Sequence, residues 1–347
     1  MGLFGFSSES QDMGIDLGTA NTLIYMPGKG IVLDEPSVIA IDEERQEAIA
    51  VGKEAQRMLG RAPRNVKTFR PLKDGVITDV RLTEMMLREF IRKVRGNNNL
   101  TKSSRIVIGV PSGITAVERR AVEEAMETSG AIDNIEFIDE PVAAAIGAGL
   151  PVDEPVGSMI VDIGGGTTEV AVLSLHGIVL SDSIRIAGDE ISEAIKFYLK
   201  RKYNLIIGDC TAERIKIEIG SAYPVENLIP SMEIRGLNVV SGLPKTITIT
   251  AEEIRECITD TIGLIVESIK RILEQTPPEI AGDIIDRGIT LAGGGALLRG
   301  LDILISEKTG IITHVAPEPL KCVVYGTGKV LEEYERLGRA SRKRFSR

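Results

Sequence analysis

Two short stretches of this chain set a carboxylate, glycines and hydroxyls in the same order. In Met159-Ile-Val-Asp-Ile-Gly-Gly-Gly-Thr-Thr-Glu-Val-Ala171 an apolar run ends at Asp162. Gly164, Gly165 and Gly166 follow, then Thr167 and Thr168, then a second apolar run. That order predicts strand, tight turn, strand. Glycines allow close backbone approach and turn several N–H groups toward one point, which makes an anion nest. The threonines add hydroxyl donors, and Asp162 stands where a carboxylate holds a hydrated cation beside phosphates. Ile15-Asp-Leu-Gly-Thr-Ala-Asn-Thr22 repeats the plan with Asp16, Gly18 and Thr19. A third cluster, Leu291-Ala-Gly-Gly-Gly-Ala296, follows an apolar strand and precedes a helix. A plain hairpin turn explains one such glycine loop equally well. Two copies and a late glycine triplet point instead to two similar half-molecules closing on one nucleotide, with Mg²⁺.

Other chemistries are short of parts. Neither Lys53 nor Lys329 sits in a G-x-x-x-x-G-K-[ST] loop, and there is no G-x-S-x-G elbow. His176 and His314, the only histidines, have no partners in view for a triad or a zinc site. Backbone amides, threonines, a divalent cation and carboxylates remain, and these suffice for phosphoryl transfer, which is mostly positioning and electrostatics. Hydrolysis also needs a group that orients water. Glu140, in Asp139-Glu140-Pro141 at the start of a small-residue helix, is the candidate. The alternative is an ordinary acidic charge at a helix N-terminus, and Pro141 at the first helical position suits both. Glu213 and Lys216 are three apart on a predicted helix, hence on one side of it. They are either a surface ion pair or a pair for a ribose.

The elements that must hold these residues read as follows. A strand, turn and strand over 13–25 is followed by extended chain over 30–41, through Pro36. A short helix covers 55–60, and a loop and strand cover 69–78. An amphipathic helix over 82–94 places Met85, Met86, Phe90 and Val94 at helical spacing. Strand 105–111, helix 115–129 (apolar face Val117, Ala121, Val122, Ala125, Met126), strand 135–138 and helix 142–149 follow. Such alternation predicts an open mixed sheet with ligand sites at strand ends. After a proline-bearing linker at 150–156 the plan recurs: hairpin, strand 177–181, helix 190–203, helix 211–219, strand and turn over 232–249. A long helix over 250–275 carries Ile254, Ile258, Ile262, Ile265, Ile269 and Ile272 as its core stripe. Strand 288–292, helix 297–308 and a closing segment 322–337 complete the chain.

At 347 residues and 43% hydrophobic composition the chain can bury a sizeable core and reads as two domains. A net charge of −9 argues against broad nucleic-acid binding. Cys210, Cys257 and Cys322 form no C-x-x-C pair and read as reduced core cysteines of a cytosolic protein. No apolar run reaches the roughly 18 residues of a membrane span, and the N-terminus lacks the form of a secretory signal. Phe6 stands where N-myristoylation needs Ser or Thr. Leu3, Phe4 and Phe6 are either a frayed terminus or an apolar finger for a bilayer interface. Full insertion would contribute a few kcal/mol, weak for one molecule but additive across a polymer. Leu100, within Gly96-Asn-Asn-Asn-Leu100, belongs to a surface loop or a second membrane contact. From Arg336 onward six basic residues stand without an acid, which reads as disorder or as attraction to an anionic surface.

Taken together, these motifs resemble the actin/Hsp70/sugar-kinase ATPase superfamily and, within it, the MreB family of bacterial actins. Beyond the three glycine stretches, the resemblance rests on Glu35-Pro-Ser-Val38, Lys73-Asp-Gly-Val-Ile77 and Val110-Pro-Ser-Gly-Ile-Thr-Ala-Val-Glu118. It continues through Ala212-Glu-Arg-Ile-Lys216 and Thr276-Pro-Pro-Glu279, and spans about residues 12–331. It implies an α/β, actin-like ATPase fold: two related α/β domains, each with an outer subdomain, flanking a nucleotide cleft. The implied domains are 13–150 (outer part about 32–76, closed by 322–337) and 151–321 (outer part about 189–251), with a leader at 1–12 and a basic tail at 338–347. ATP would meet a first phosphate loop at Gly18, Thr19, Ala20 and Asn21 and a second at Gly164, Gly165, Gly166 and Thr167. Glu213, Lys216, Gly293, Gly294, Gly295 and Ala296 would take the adenosine. Asp16 and Asp162 would hold Mg²⁺ largely through water, and Glu140 and Thr167 would position the attacking water.

The family further implies a homopolymer of antiparallel double protofilaments on the cytoplasmic face of the inner membrane. It implies partnership with cell-wall elongation proteins of the MreC, MreD and RodZ type, and control of rod shape. Two departures stand out. Ala20 and Asn21 occupy the loop where eukaryotic actin has a lysine, so neutralisation falls more on Mg²⁺. The apolar membrane loop is reduced to Leu100, which shifts membrane contact toward Leu3, Phe4 and Phe6. The competing expectations are a monomeric Hsp70-like ATPase and a sugar kinase.

Overall fold

The computed structural model describes residues 12–95, 105–112, 114–128, 134–226 and 229–344, with side chains to Tyr334. The membrane-contact candidates Leu3, Phe4, Phe6 and Leu100 lie outside the described residues. In chain order the first half contains β1 (Met13–Leu17), β2 (Asn21–Met26), β3 (Gly30–Pro36), β4 (Ile39–Asp42), β5 (Glu47–Val51), α1 (Lys53–Met58), β6 (Val66–Phe69), the hairpin β7 (Leu72–Lys73) and β8 (Val76–Ile77), α2 (Val80–Arg95), β9 (Ile106–Val110), α3 (Ala116–Thr128), β10 (Ile135–Asp139) and α4 (Glu140–Ala148). The second half contains β11 (Ser158–Ile163), β12 (Thr168–Ser174), β13 (Gly177–Ile184), α5 (Gly188–Tyr203), β14 (Leu205–Ile206), α6 (Asp209–Ile219), β15 (Ser231–Asn238), β16 (Pro244–Thr250), α7 (Ala251–Gln275), α8 (Pro278–Arg287), β17 (Ile289–Ala292), α9 (Leu301–Thr309), β18 (Thr313–Val315) and α10 (Cys322–Arg344).

Two five-stranded sheets share one plan. The first runs β10-β9-β1-β2-β3 and the second β18-β17-β11-β12-β13. In each, a three-stranded antiparallel meander (β1-β2-β3, β11-β12-β13) is joined through its first strand to two parallel strands. Hairpins suffice to connect the meander, whereas parallel partners need crossovers, which the intervening helices supply. Two small sheets, β5-β4-β6 and β14-β15-β16, stand apart from the large ones.

The core follows from the apolar patterning. All six isoleucines of the α7 stripe are buried, joining Val161, Ile163, Val170 and Val172 from the second sheet. At about 1.5–3 kcal/mol for each fully buried side chain, that stripe anchors the second half. Thr250 starts α7 with a capping box: Glu253 N–H donates to Thr250 Oγ1 at 3.2 Å, and Thr250 N–H donates to Glu253 Oε2 at 2.9 Å. The first half buries Met85, Met86 and Phe90 of α2 against Ile15, Ile24 and Ile108. Between the halves, α4 and α10 meet at backbone range. A Cβ added at Gly147 would lie 1.8 Å from the Cys322 carbonyl oxygen, and one at Gly326 would lie 1.9 Å from that of Ala143. Any side chain there would drive the helices apart.

Several expectations are corrected. Val117 is 80% exposed rather than core, because α3 turns only Val122, Ala125 and Met126 fully inward. Cys210 is exposed and Cys257 partly so; Cys322 alone is buried. Residues 278–287, left without an element above, form α8, opened by Pro278 at a first-turn position that tolerates proline. The helix expected at 297–308 begins at Leu301, because Gly294–Leu297 wind into a 3₁₀ turn first. The backbone of α10 continues past 337 to Arg344, so most of the basic stretch is helical.

Candidate functional site

The two glycine turns face each other. β1 carries Asp16 to the 18–21 turn, and β11 carries Asp162 to the 164–167 turn, closed by Gly164 N–H donating to Thr167 O at 2.9 Å. A Cβ added at Gly165 would lie 2.8 Å from that of Ala20, so each loop leaves only backbone room for the other. Gly166 is as constrained, with Asp74 Cα 2.8 Å and Thr19 Oγ1 2.9 Å from an added Cβ. Thr19 Oγ1 also accepts from Gly75 N–H at 2.9 Å, tying the first loop to the β7–β8 turn.

Between the loops lies a cavity of about 550 Å³, within the range of small-ligand sites. Asp16, Gly18, Thr19, Ala20, Asn21, Glu140, Asp162, Gly164, Gly165, Gly166, Thr167, Glu213, Lys216, Gly293, Gly294 and Gly295 all line it. Of the residues expected in the cleft, Ala296 alone is not on its wall; it is 3% exposed and packs into the core behind the triplet. Gly293 has φ +77° and an added Cβ there would meet Ile163 O at 2.3 Å and Asp162 Oδ1 at 2.4 Å, so only glycine fits. Its neighbour Gly295 packs on Ile163 just as closely.

Glu213 and Lys216 form more than a surface pair. Lys216 Nζ stands 2.7 Å from Glu213 Oε2 and donates to the Gly188 carbonyl at 2.9 Å. Ser192 Oγ donates to Glu213 Oε2 at 3.0 Å. These bonds fix α6 against the start of α5 and hold a charged, hydrogen-bonding edge on the cleft.

The opposite wall is acidic. Asp162 is 6% exposed, and Asp16 and Glu140 are half-buried; Glu169, off the cavity wall, is 1% exposed. Burial, then the charge of Asp34, pushes Asp16 up to about 7; burial, then Asp16, pushes Asp162 up to about 7. Glu140 is raised well above the ordinary carboxyl range, first by burial and then by Asp16, Asp162, Glu169 and Asp139. Among the described residues neither Asp16 nor Asp162 has an ion-pair partner, and no three His, Cys, Asp or Glu side chains converge as a closed metal site. This donor set suits a cation that keeps most of its waters, as Mg²⁺ does beside one or two carboxylates and substrate phosphates.

Several lining residues were missed in the sequence, among them Arg70, Asp189, Gln56 and Arg299. Arg70, after β6, reaches across the cleft to Asp189 on the first turn of α5, 3.9 Å away. Gln56 on α1 closes the mouth. Only contacts between distant segments reveal them; Asp189, one residue before the helix expected at 190–203, was the one local signal. Neither histidine lines the cavity.

With this geometry in place, comparison with known proteins is informative. Residues 10–339 match the family described as MreB/Mbl protein. The chain is 53% identical over 333 residues to the cell shape-determining protein MreB of Escherichia coli (strain K12), covering 95% of each. It is similar in structure to MreB5 of Spiroplasma citri bound to ADP, with TM-score 0.88, 38% identity, and 94% of this chain and 98% of that one covered. The AMPPNP-bound form of that protein superposes with TM-score 0.89 at 38% identity over 95% and 98% of the two chains.

Proposed function

This chain belongs to the MreB/Mbl family, and from that premise we propose that it is an ATP-hydrolysing bacterial actin whose filaments act at the membrane. It has the actin-like fold and the cell-shape role of its family. The observation that carries the site assignment is the pair of mirrored carboxylate hairpins, Asp16 with its 18–21 turn and Asp162 with its 164–167 turn, closing on one cavity.

In this reading the backbone amides and threonines of both turns cradle the phosphates. Glu213 and Lys216 hydrogen-bond the ribose and base, and Gly293, Gly294 and Gly295 form the floor under the adenosine, with Ala296 packed behind them. Asp16 and Asp162 would hold a hydrated Mg²⁺, which when bound would supply charge neutralisation at the phosphates. Glu140 and Thr167 orient the attacking water. A carboxyl raised by burial is a better proton acceptor than a free one, which suits Glu140 to a base role once a cation offsets the surrounding acids. Domains of 13–150 and 151–321, with 322–337 closing the first, would rotate about α4 and α10 as the cleft opens and shuts.

Nucleotide-bound subunits assemble into paired antiparallel protofilaments lying on the cytoplasmic face of the membrane, where they organise wall synthesis with partners of the MreC, MreD and RodZ kind. Among the described residues no helix is long and apolar enough to cross a membrane. Contact therefore falls to peripheral groups, with Leu3, Phe4 and Phe6 first and Leu100 second. A monomeric chaperone-like or sugar-kinase-like ATPase is not favoured, since the curated relatives are cell shape-determining proteins along nearly the whole chain.

Pelleting with and without Mg²⁺·ATP, together with a phosphate-release assay, tests this reading. Nucleotide-dependent sedimentation with phosphate release supports it. Turnover without sedimentation over a wide concentration range contradicts it.

A further inference from the structure

A second cavity, of about 410 Å³, lies between α1 on one side and α6 on the other. Gln56, Arg70, Glu213 and Ile217 line both this cavity and the nucleotide cleft, so it is the vestibule of that cleft. Its charge is opposite to that of the cleft floor. Arg57, Arg61, Arg70 and Arg214 line it. Arg57, Arg61 and Arg214 are exposed and enter no ion pair among the described residues, while Arg70 faces Asp189 at 3.9 Å. Two of the three acids lining the vestibule are already taken: Asp209 stands 2.7 Å from Lys196, and Glu213 stands 2.7 Å from Lys216. Glu218 is the third.

The floor beyond holds Asp16, Glu140 and Asp162 in a chain whose net charge is −9. A polyphosphate arriving from bulk solvent meets repulsion from the whole molecule and from the site itself. Exposed charges act over about one Debye length, roughly 8–10 Å at physiological salt. A basic rim at the mouth therefore decides how often an anion enters. We propose that this arginine-lined vestibule is the capture and entry site for the nucleotide's phosphates. Arg57, Arg61 and Arg214 draw the anion to the mouth, and Arg70 and Gln56 mark its passage into the cleft. The inference rests on the nucleotide reading above and adds how the ligand gets in.

Steering of this kind changes the association rate and its salt dependence and leaves dissociation nearly untouched. The test is stopped-flow association of a fluorescent ATP analogue with Mg²⁺, on the full chain, over a range of salt. In Arg57→Ala/Arg61→Ala, and separately in Arg214→Ala, the association rate constant falls about three- to tenfold at low ionic strength. The dissociation rate stays near the wild-type value, and the difference closes at high salt. Arg57→Lys/Arg61→Lys keeps the wild-type rate, and Glu218→Gln raises it. Arg64→Ala, an exposed arginine outside the cavity, is the control and leaves the rate unchanged. An unchanged rate in the double alanine variant overturns the proposal. So does a loss that the lysine variant or the Arg64 control reproduces. If the wild type binds no analogue, the nucleotide reading fails and this inference falls with it; if wild type and variants bind equally fast, only the vestibule role fails.

Discussion

Asp16 and Asp162 occupy the same place in two sheets. Asp16 pairs with Leu23 in an antiparallel hairpin and with Gly109 on a parallel neighbour; Asp162 pairs with Glu169 and Ala292 in the same two ways. Each carboxylate thus ends a buried strand just before a glycine turn, and the two turns close on one cavity. The arrangement brings two like charges into one site, and among the described residues neither has an ion-pair partner.

That arrangement predicts a pH signature in the nucleotide-free protein. Both carboxyls sit at about 7 when folded against an ordinary value of 3.8, with burial the leading cause. A raised acid favours the protonated folded state, so its stabilising contribution is complete below about 3.8 and is lost as pH rises through 7. The melting temperature is expected to fall between about pH 4 and pH 7, and Asp162→Asn is expected to shrink that slope. Thermal melts across this range check it; equal slopes in variant and wild type contradict it.

The same carboxylate should govern ligand binding in the other direction. Asp162→Ala relieves charge repulsion in the cleft yet removes a carboxylate proposed to hold the hydrated cation. Calorimetry with Mg²⁺ and ATP is expected to show affinity abolished, and an affinity equal to wild type removes Asp162 from the metal assignment.

Glu140→Ala separates binding from chemistry. The variant is expected to bind ATP and to hydrolyse it about 10²-fold more slowly, the usual loss for a positioned proton acceptor. A wild-type turnover rate would make Glu140 only the acidic first residue of α4.

The contact between α4 and α10 gives a prediction independent of chemistry. Gly147→Ala and Gly326→Ala each push a methyl group into a carbonyl less than 2 Å away. Overpacking of this kind costs about 1–3 kcal/mol or more, and backbone atoms cannot swing aside as a side chain can. Denaturant titration is expected to show both variants less stable, while Gly263→Ala, with open space around it, serves as the control.

Much of this site was readable in the residues because its chemistry is local. A carboxylate, a glycine turn and a threonine lie within seven positions of one another at Asp162, and the second copy at Asp16 turned a weak signal into a strong one. The α7 stripe was equally legible, since six isoleucines at helical spacing have one way to be buried together. What escaped depends on distant contacts. Val117 has the right spacing for a core face, but α3 rolls it into solvent. Arg70 gains its place from Asp189, more than a hundred residues away. Cys210 looked apolar by type and is exposed because it opens a helix at the rim of the vestibule.

The central claim is a nucleotide-dependent polymer on a membrane. Sedimentation with anionic liposomes, with and without Mg²⁺·ATP, followed by electron microscopy of the pellet, tests it most directly. Straight, paired filaments lying on lipid are expected only when nucleotide is present, with loss of the lipid contact when Leu3, Phe4 and Phe6 are replaced by serine. A protein that stays in the supernatant as a monomer while turning over ATP would contradict it.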